Sequence, residues 1–220
     1  MDRRPGWLVL LSATVWTVGL MASLVGPATH VWRPAAGDRW LWPGPGTVAS
    51  TVDSTYDVVV LDPFVTGADE VGRLHAAGQA VVCQLRAGVW EFSRPDVDRL
   101  DPAPVGDSAS ADARWLDIRR LDALTEPLTD RLILCAGKGF DGVVLTELDG
   151  WAHATGFPLS GEDQLRFNTA MVELAQRHGL RAAILATGTT PIPSTVDVTV
   201  TRPGSGGAAG SAGTSTTTGS

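Results

Sequence analysis

An α/β fold built on a parallel sheet is predicted by three observations. Short apolar runs of strand length, at 56–62 (YDVVVLD), 79–86, 142–146 and 180–186, alternate with longer segments of helical periodicity. The run Val143-Val144-Leu145 is apolar on consecutive residues, as expected of a strand buried on both faces. Acidic and aromatic residues follow the runs: Asp62, then Trp90 and Glu91, then Glu147, Asp149 and Trp151. The carboxyl edge of a parallel sheet is where such folds bind ligands.

In chain order, Met1-Asp2-Arg3-Arg4 precedes an almost uncharged run at 7–26, and Gly26-Pro27-Ala28 offers small residues for cleavage. At about 20 residues the run is also long enough to cross a bilayer. Residues 1–28 are therefore read as a signal peptide or membrane anchor, and either places the remainder outside the cytoplasm. Membrane contact is expected only through this segment. A single domain follows at 38–202, then a Gly/Ser/Thr/Ala tail at 203–220 that is expected to be disordered.

Within the domain, Trp40-Leu41-Trp42 forms a first strand before a Pro/Gly turn at 43–46. The second strand, 56–62, ends in Asp62, which is either a site residue or a cap and loop ligand for the next helix. That helix, 68–77, carries Val71, Leu74 and His75 on one side and stops at Gly78. The third strand, 79–86, leads to Trp90 and Glu91, and 100–112 reads as a loop. Asp117 is placed to cap a helix reaching about residue 137, with Leu121, Leu124, Leu128, Leu132 and Cys135 as its stripe. Pro127 should bend or split that helix. After the central strand, Ser160 and Asp163 form a shortened capping box for a helix with a stripe of Leu165, Phe167, Met171, Leu174 and Ala175. A fifth strand at 180–186 and a sixth at 196–201 complete the pattern.

The net charge is -7, and the basic residues, one Lys and 16 Arg, are scattered. That distribution argues against a nucleic-acid partner. Of eight Trp, Trp40, Trp42, Trp90 and Trp151 lie near strand ends or loops, where indoles serve as sugar platforms or as core. Two buried thiols are favoured over a disulfide for Cys83 and Cys135, because free Cys is commonly buried. The four His are dispersed and nothing has zinc-site spacing, so no metal and no cofactor is implied.

The runs KGFDGV, DGW, TGFPL and DQL, then Asn168 and HGL at 178–180, resemble glycoside hydrolase family 114, the endo-α-1,4-polygalactosaminidases. Cys83, Ala87, Gly88, Glu91, Arg94, Pro95 and Asp96 extend the similarity, as does RWLDIR at 114–119. The resemblance covers roughly 40–200. It implies a (β/α)8-type TIM barrel; the sequence itself offers about six strands, so the barrel is expected to be incomplete, with an oligomer as one way to complete it. It also implies a galactosamine-containing polysaccharide as partner. The chain departs from the family at the central strand, which reads GVVLTELDGW instead of GVEPDNVDGY: the acidic pair falls on Val144 and Thr146. Leu185, Ala186 and Thr187 stand where the family has KND, and Gln84 and Arg86 where it has Tyr and Ser.

Glycoside hydrolysis requires two carboxyl groups flanking the bond. The candidates for catalysis are Glu147, Asp149 and Asp62. Glu91, Trp42, Trp90, Trp151 and Arg86 are candidates for substrate binding. Strand alternation sets Glu147 on the face opposite Thr146 unless the loop turns it back. Three outcomes are open: a hydrolase with rearranged acids, a non-catalytic carbohydrate-binding descendant, and a truncated product without its own function.

Overall fold

The computed structural model describes residues 32–43 and 55–201, together with the backbone of 213–215. The apolar run at 7–26 lies outside the described residues. Among the described residues, six strands run parallel in sequential order: β1 (Trp40–Leu41), β2 (Val58–Leu61), β3 (Ala80–Arg86), β7 (Gly142–Thr146), β8 (Arg181–Leu185) and β9 (Val198–Thr201). Helices α1 (Ala68–Ala76), α2 (Leu121–Gly137) and α3 (Gly161–Arg177) make the crossovers into β3, β7 and β8. Sequential parallel strands with intervening helices are the pattern of a (β/α)8 barrel, here carried through six strands.

Strand alternation divides the core. Val59, Leu61, Val81, Cys83, Leu85, Val143, Leu145 and Ile184 face the helices and pack with Leu124, Leu128, Leu132, Phe167 and Met171. The inner face carries Val58, Val60, Val82, Val144, Ala183, Val198 and Val200, filled by Trp32 and Trp40. Trp32 meets Trp40 edge-on at 5.5 Å and Trp40 stacks on Trp42 at 5.7 Å, so indoles occupy the interior of the unclosed barrel. Helix α3 begins as expected: Ser160 Oγ accepts from Asp163 N at 3.1 Å and Asp163 returns a bond to Ser160 N at 3.0 Å.

Several expectations are corrected. Residues 100–112 contain β5 (Val105–Ser108), and RWLDIR begins with β6 (Ala113–Leu116); with β4 (Val89–Glu91) they form an antiparallel sheet of order β4-β6-β5. The polar, partly exposed β5 lacks the apolar alternation that would mark a strand. Asp117 caps no helix; it pairs with Arg119 at 2.7 Å, and α2 starts only at Leu121. That helix runs unbroken through Pro127, whose ring is buried, so packing offsets the lost backbone bond. Leu165 is exposed, and the buried stripe of α3 instead includes Gln164 and Asn168.

Cys83 and Cys135 form a disulfide with a Cα–Cα distance of 6.1 Å, joining β3 to α2, contrary to the reading as free thiols. Both lie in the core between sheet and helix, where burial alone does not distinguish a thiol pair from a bridge. Within the tail, β10 (Gly213–Ser215) pairs antiparallel with β9, a pairing that composition does not reveal.

Candidate functional site

At the carboxyl edge, the inner-face rows end in Gln84 and Arg86 on β3, Val144 and Thr146 on β7, and Leu185 on β8, with Arg86 opposite Thr146 and Gln84 opposite Val144. Val144 and Thr146 are thus at inward positions, and both are buried. Neither supplies a carboxyl group.

Glu147 stands beside them. Among the described residues it is the one non-glycine with positive φ, 55°. This left-handed residue reverses the alternation, so Glu147 joins the inner face with Thr146 instead of the helix face. Its Oε1 accepts from Arg86 Nε at 3.1 Å and its Oε2 from the Thr146 hydroxyl. The β3–β4 turn presses on the same point: Ala87 N donates to Thr146 O at 3.1 Å, and a Cβ on Gly88 would run into the Glu147 carbonyl, 2.9 Å from its carbon. Gly88 is required there because no side chain fits.

Asp62, Glu91 and Glu147 are linked through guanidinium groups. Arg94 bonds Asp62 Oδ2 at 2.6 Å and Glu91 Oε1 at 3.0 Å; Arg86 reaches Glu91 at 3.5 Å and Asp112 at 3.8 Å. Arg131 from α2 bonds Asp96 at 2.6 Å, lies 3.7 Å from Glu91 and stacks 4.0 Å over Trp90. Burial acts most strongly on Arg94 and opposes its charge, but bonds to Glu91 and Asp62 outweigh it and hold the guanidinium above its ordinary value. Asp62 is a loop ligand as well, its Oδ1 accepting from Phe64 N at 2.9 Å, while Gly67 caps α1.

Asp149 is buried at the next position along the edge. Its Oδ2 accepts from Thr187 Oγ1 at 2.8 Å, with Thr189 Oγ1 and His153 Nε2 each 3.4 Å away. His153 stacks on Trp115 at 4.8 Å. Three of the four acids named from the sequence, Asp62, Glu91 and Glu147, are thus joined in one network, and Asp149 has a separate set of partners.

The indoles divide. Trp151 is 39% exposed, anchored by Nε1 to Thr189 O at 2.9 Å. Trp42 is half-buried against Trp40, and its Nε1 is buried and meets no acceptor among the described residues. Trp90, proposed as a sugar-binding ring, is only 2% exposed; its Nε1 donates to Val97 O at 3.1 Å and Arg131 covers its face, so it is a packing residue.

Sequence reasoning missed the buried polar supports. Gln164 and Asn168 bond each other at 2.8 Å; Gln164 accepts from Trp151 N, and Asn168 donates to Leu148 O and Pro191 O. Their signal was available: two amides at i and i+4 inside an apolar stripe. Arg131, one residue before Leu132 on the buried side of α2, is a similar break in pattern.

The model of the Glycoside-hydrolase family GH114 matches residues 22–199. No curated protein sequence matches the chain. Among solved structures, Ega3 of Aspergillus fumigatus, in complex with galactosamine, shares 25% identity and a TM-score of 0.63 over 71% of this chain and 62% of that one. The glycoside hydrolase domain of PelA from Pseudomonas aeruginosa shares the fold at 16% identity, with a TM-score of 0.54 over 73% of this chain and 64% of that one. The chain spans less than two thirds of the length of either structure. With most of its length matched by the family model, the chain belongs to glycoside hydrolase family GH114.

Proposed function

We propose that the domain at 38–202 binds a galactosamine-containing polysaccharide at the carboxyl edge of its sheet and that hydrolysis is absent or heavily impaired. The observation that carries this reading is the inner face of β7: Val144 and Thr146, where the resemblance would put the family's acidic pair, are buried at inward positions and carry no carboxyl group. Two carboxyl groups are needed across a glycosidic bond, and losing general-acid assistance alone costs a factor of about 10² to 10⁴ in rate. Of the remaining acids, Asp62 and Glu91 are held by Arg94, Glu147 by Arg86 and Thr146, and Asp149 by Thr187.

Binding is supported by different features. Trp151 offers an exposed ring and Trp42 a half-buried one. Ring faces with nearby carboxylate and hydroxyl acceptors suit a hexosamine. The structural likeness to a protein solved with galactosamine supports the choice of sugar. Export through residues 1–28 belongs to this reading, and the Cys83–Cys135 bridge supports an oxidising compartment.

The test is a pair of assays on one galactosamine polymer: retention or calorimetric binding, and release of reducing ends. The reading expects binding without cleavage. Turnover typical of an enzyme, abolished by Glu147→Gln, would make Glu147 a catalytic group instead.

A further inference from the structure

We propose that Glu147 is the carboxylate through which this site grips the ammonium group of a deacetylated amino sugar, and so separates cationic from N-acetylated ligands. The inference rests on the binding reading above and assigns it a specificity residue.

Three observations converge on Glu147. Its left-handed backbone places the side chain on the inner face, and a non-glycine in that region persists only where surrounding structure holds it. The surroundings do so through the Gly88 turn, which leaves no space for the loop to relax toward β3. The Glu147 side chain is 28% exposed, unlike the buried side chains of Glu91 and Asp149.

The partners of Glu147 leave it able to take a cation. A carboxylate has about four acceptor positions. One bond from Arg86 to Oε1 and one from Thr146 to Oε2 leave a free direction on each oxygen. Arg86 is a replaceable partner, because its guanidinium already spreads toward Glu91 at 3.5 Å and Asp112 at 3.8 Å. When an ammonium group arrives at Glu147, Arg86 keeps two other carboxylates. Asp62 differs: it is tied to Phe64 N and to Arg94 at 2.6 Å. Among the described residues of the cluster, five carboxylates, Asp62, Glu91, Asp96, Asp112 and Glu147, meet three guanidiniums, Arg86, Arg94 and Arg131. The excess of negative charge favours a positively charged ligand.

The experiment compares calorimetric binding of galactosamine and N-acetylgalactosamine oligosaccharides to the wild type and to Glu147→Gln. The wild type should prefer the deacetylated ligand. Glu147→Gln should lose about tenfold in affinity for that ligand, the scale of one charge-assisted hydrogen bond, with the acetylated one nearly unaffected. Glu147→Asn, whose residue tolerates the left-handed backbone, should show the same selective loss with the turn intact. Equal losses on both ligands, or none, overturn the assignment. A wild type that favours the acetylated sugar overturns it while sparing the binding reading, and one that binds neither sugar overturns both.

Discussion

Arg86 Nε and Glu147 Oε1 are 3.1 Å apart, although regular alternation along β7 would send the two side chains to opposite faces of the sheet. The contact exists because Glu147 turns at φ 55° directly after Thr146, the strand partner of Arg86. One backbone conformation thus converts a helix-facing position into one on the inner face of the sheet.

Gly88→Ala tests how firmly that turn is held. The added methyl group meets the Glu147 carbonyl, and overpacking of this kind costs about 1–3 kcal/mol. Thermal unfolding should show a lower Tm than the wild type; an unchanged Tm would mean that the β3–β4 turn shifts freely.

Reintroducing an acid at position 144 should be poorly tolerated. Val144 is fully buried on the inner face, in the cluster that contains Trp40, Val82 and Ala183. Val144→Glu is expected to cost at least about 2 kcal/mol in urea unfolding, the scale of burying an unpaired polar group. Thr146→Asp, opposite Arg86 in register, should cost less. The reverse order would indicate space around Val144 that the packing does not show.

Removing the disulfide should matter more than any single surface change. Cys83 and Cys135 are separated by 52 residues in sequence, and loss of such a bridge costs about 2–5 kcal/mol. Denaturant midpoints with and without reductant, and for the Cys83→Ala/Cys135→Ala pair, should fall together. Equal midpoints would show that core packing alone joins β3 to α2.

Acid should weaken the fold partly through Asp117. Its hydrogen bonds from Arg119 hold the carboxyl below its ordinary value of 3.8, against the opposing effect of burial. A group with a depressed folded value contributes its full stability above the unfolded value and loses it as pH falls through the folded one. The contribution should therefore fade below about pH 3.8, and Asp117→Asn should flatten that part of the stability profile. The effect is modest because Arg119 is partly exposed. A steeper acid limb in the variant would contradict this assignment.

The parallel strands were legible because each is a local apolar run, and α1 and α3 because Gly78 and the Ser160–Asp163 pair mark their ends. The small antiparallel sheet was not. Its strand β5 is polar and partly exposed, held by β6 and by Asp107 N bonding Thr155 O at 2.8 Å, contacts with no local sequence pattern. The site was legible in part as a location, since Arg86 and Arg94 tie Asp62, Glu91 and Glu147 together, while Asp149 keeps its own partners at Thr187 and His153. Its partnerships were not, because Arg94–Asp62 and Arg131–Asp96 join residues more than 30 positions apart. The burial of Trp90 was hidden for the same reason, as its cover comes from Arg131 on a distant helix.

Asn168 has a mechanical consequence. Its single amide group donates to Leu148 O, in the segment after β7, and to Pro191 O, in the segment after β8. Separating those segments would strand the buried Leu148 carbonyl and the Asn168 amide, so the segments after β7 and β8 are tied to move together rather than as independent flaps. A ligand that presses on Trp151 is then felt at Thr189 and Pro191 without any contact of its own there.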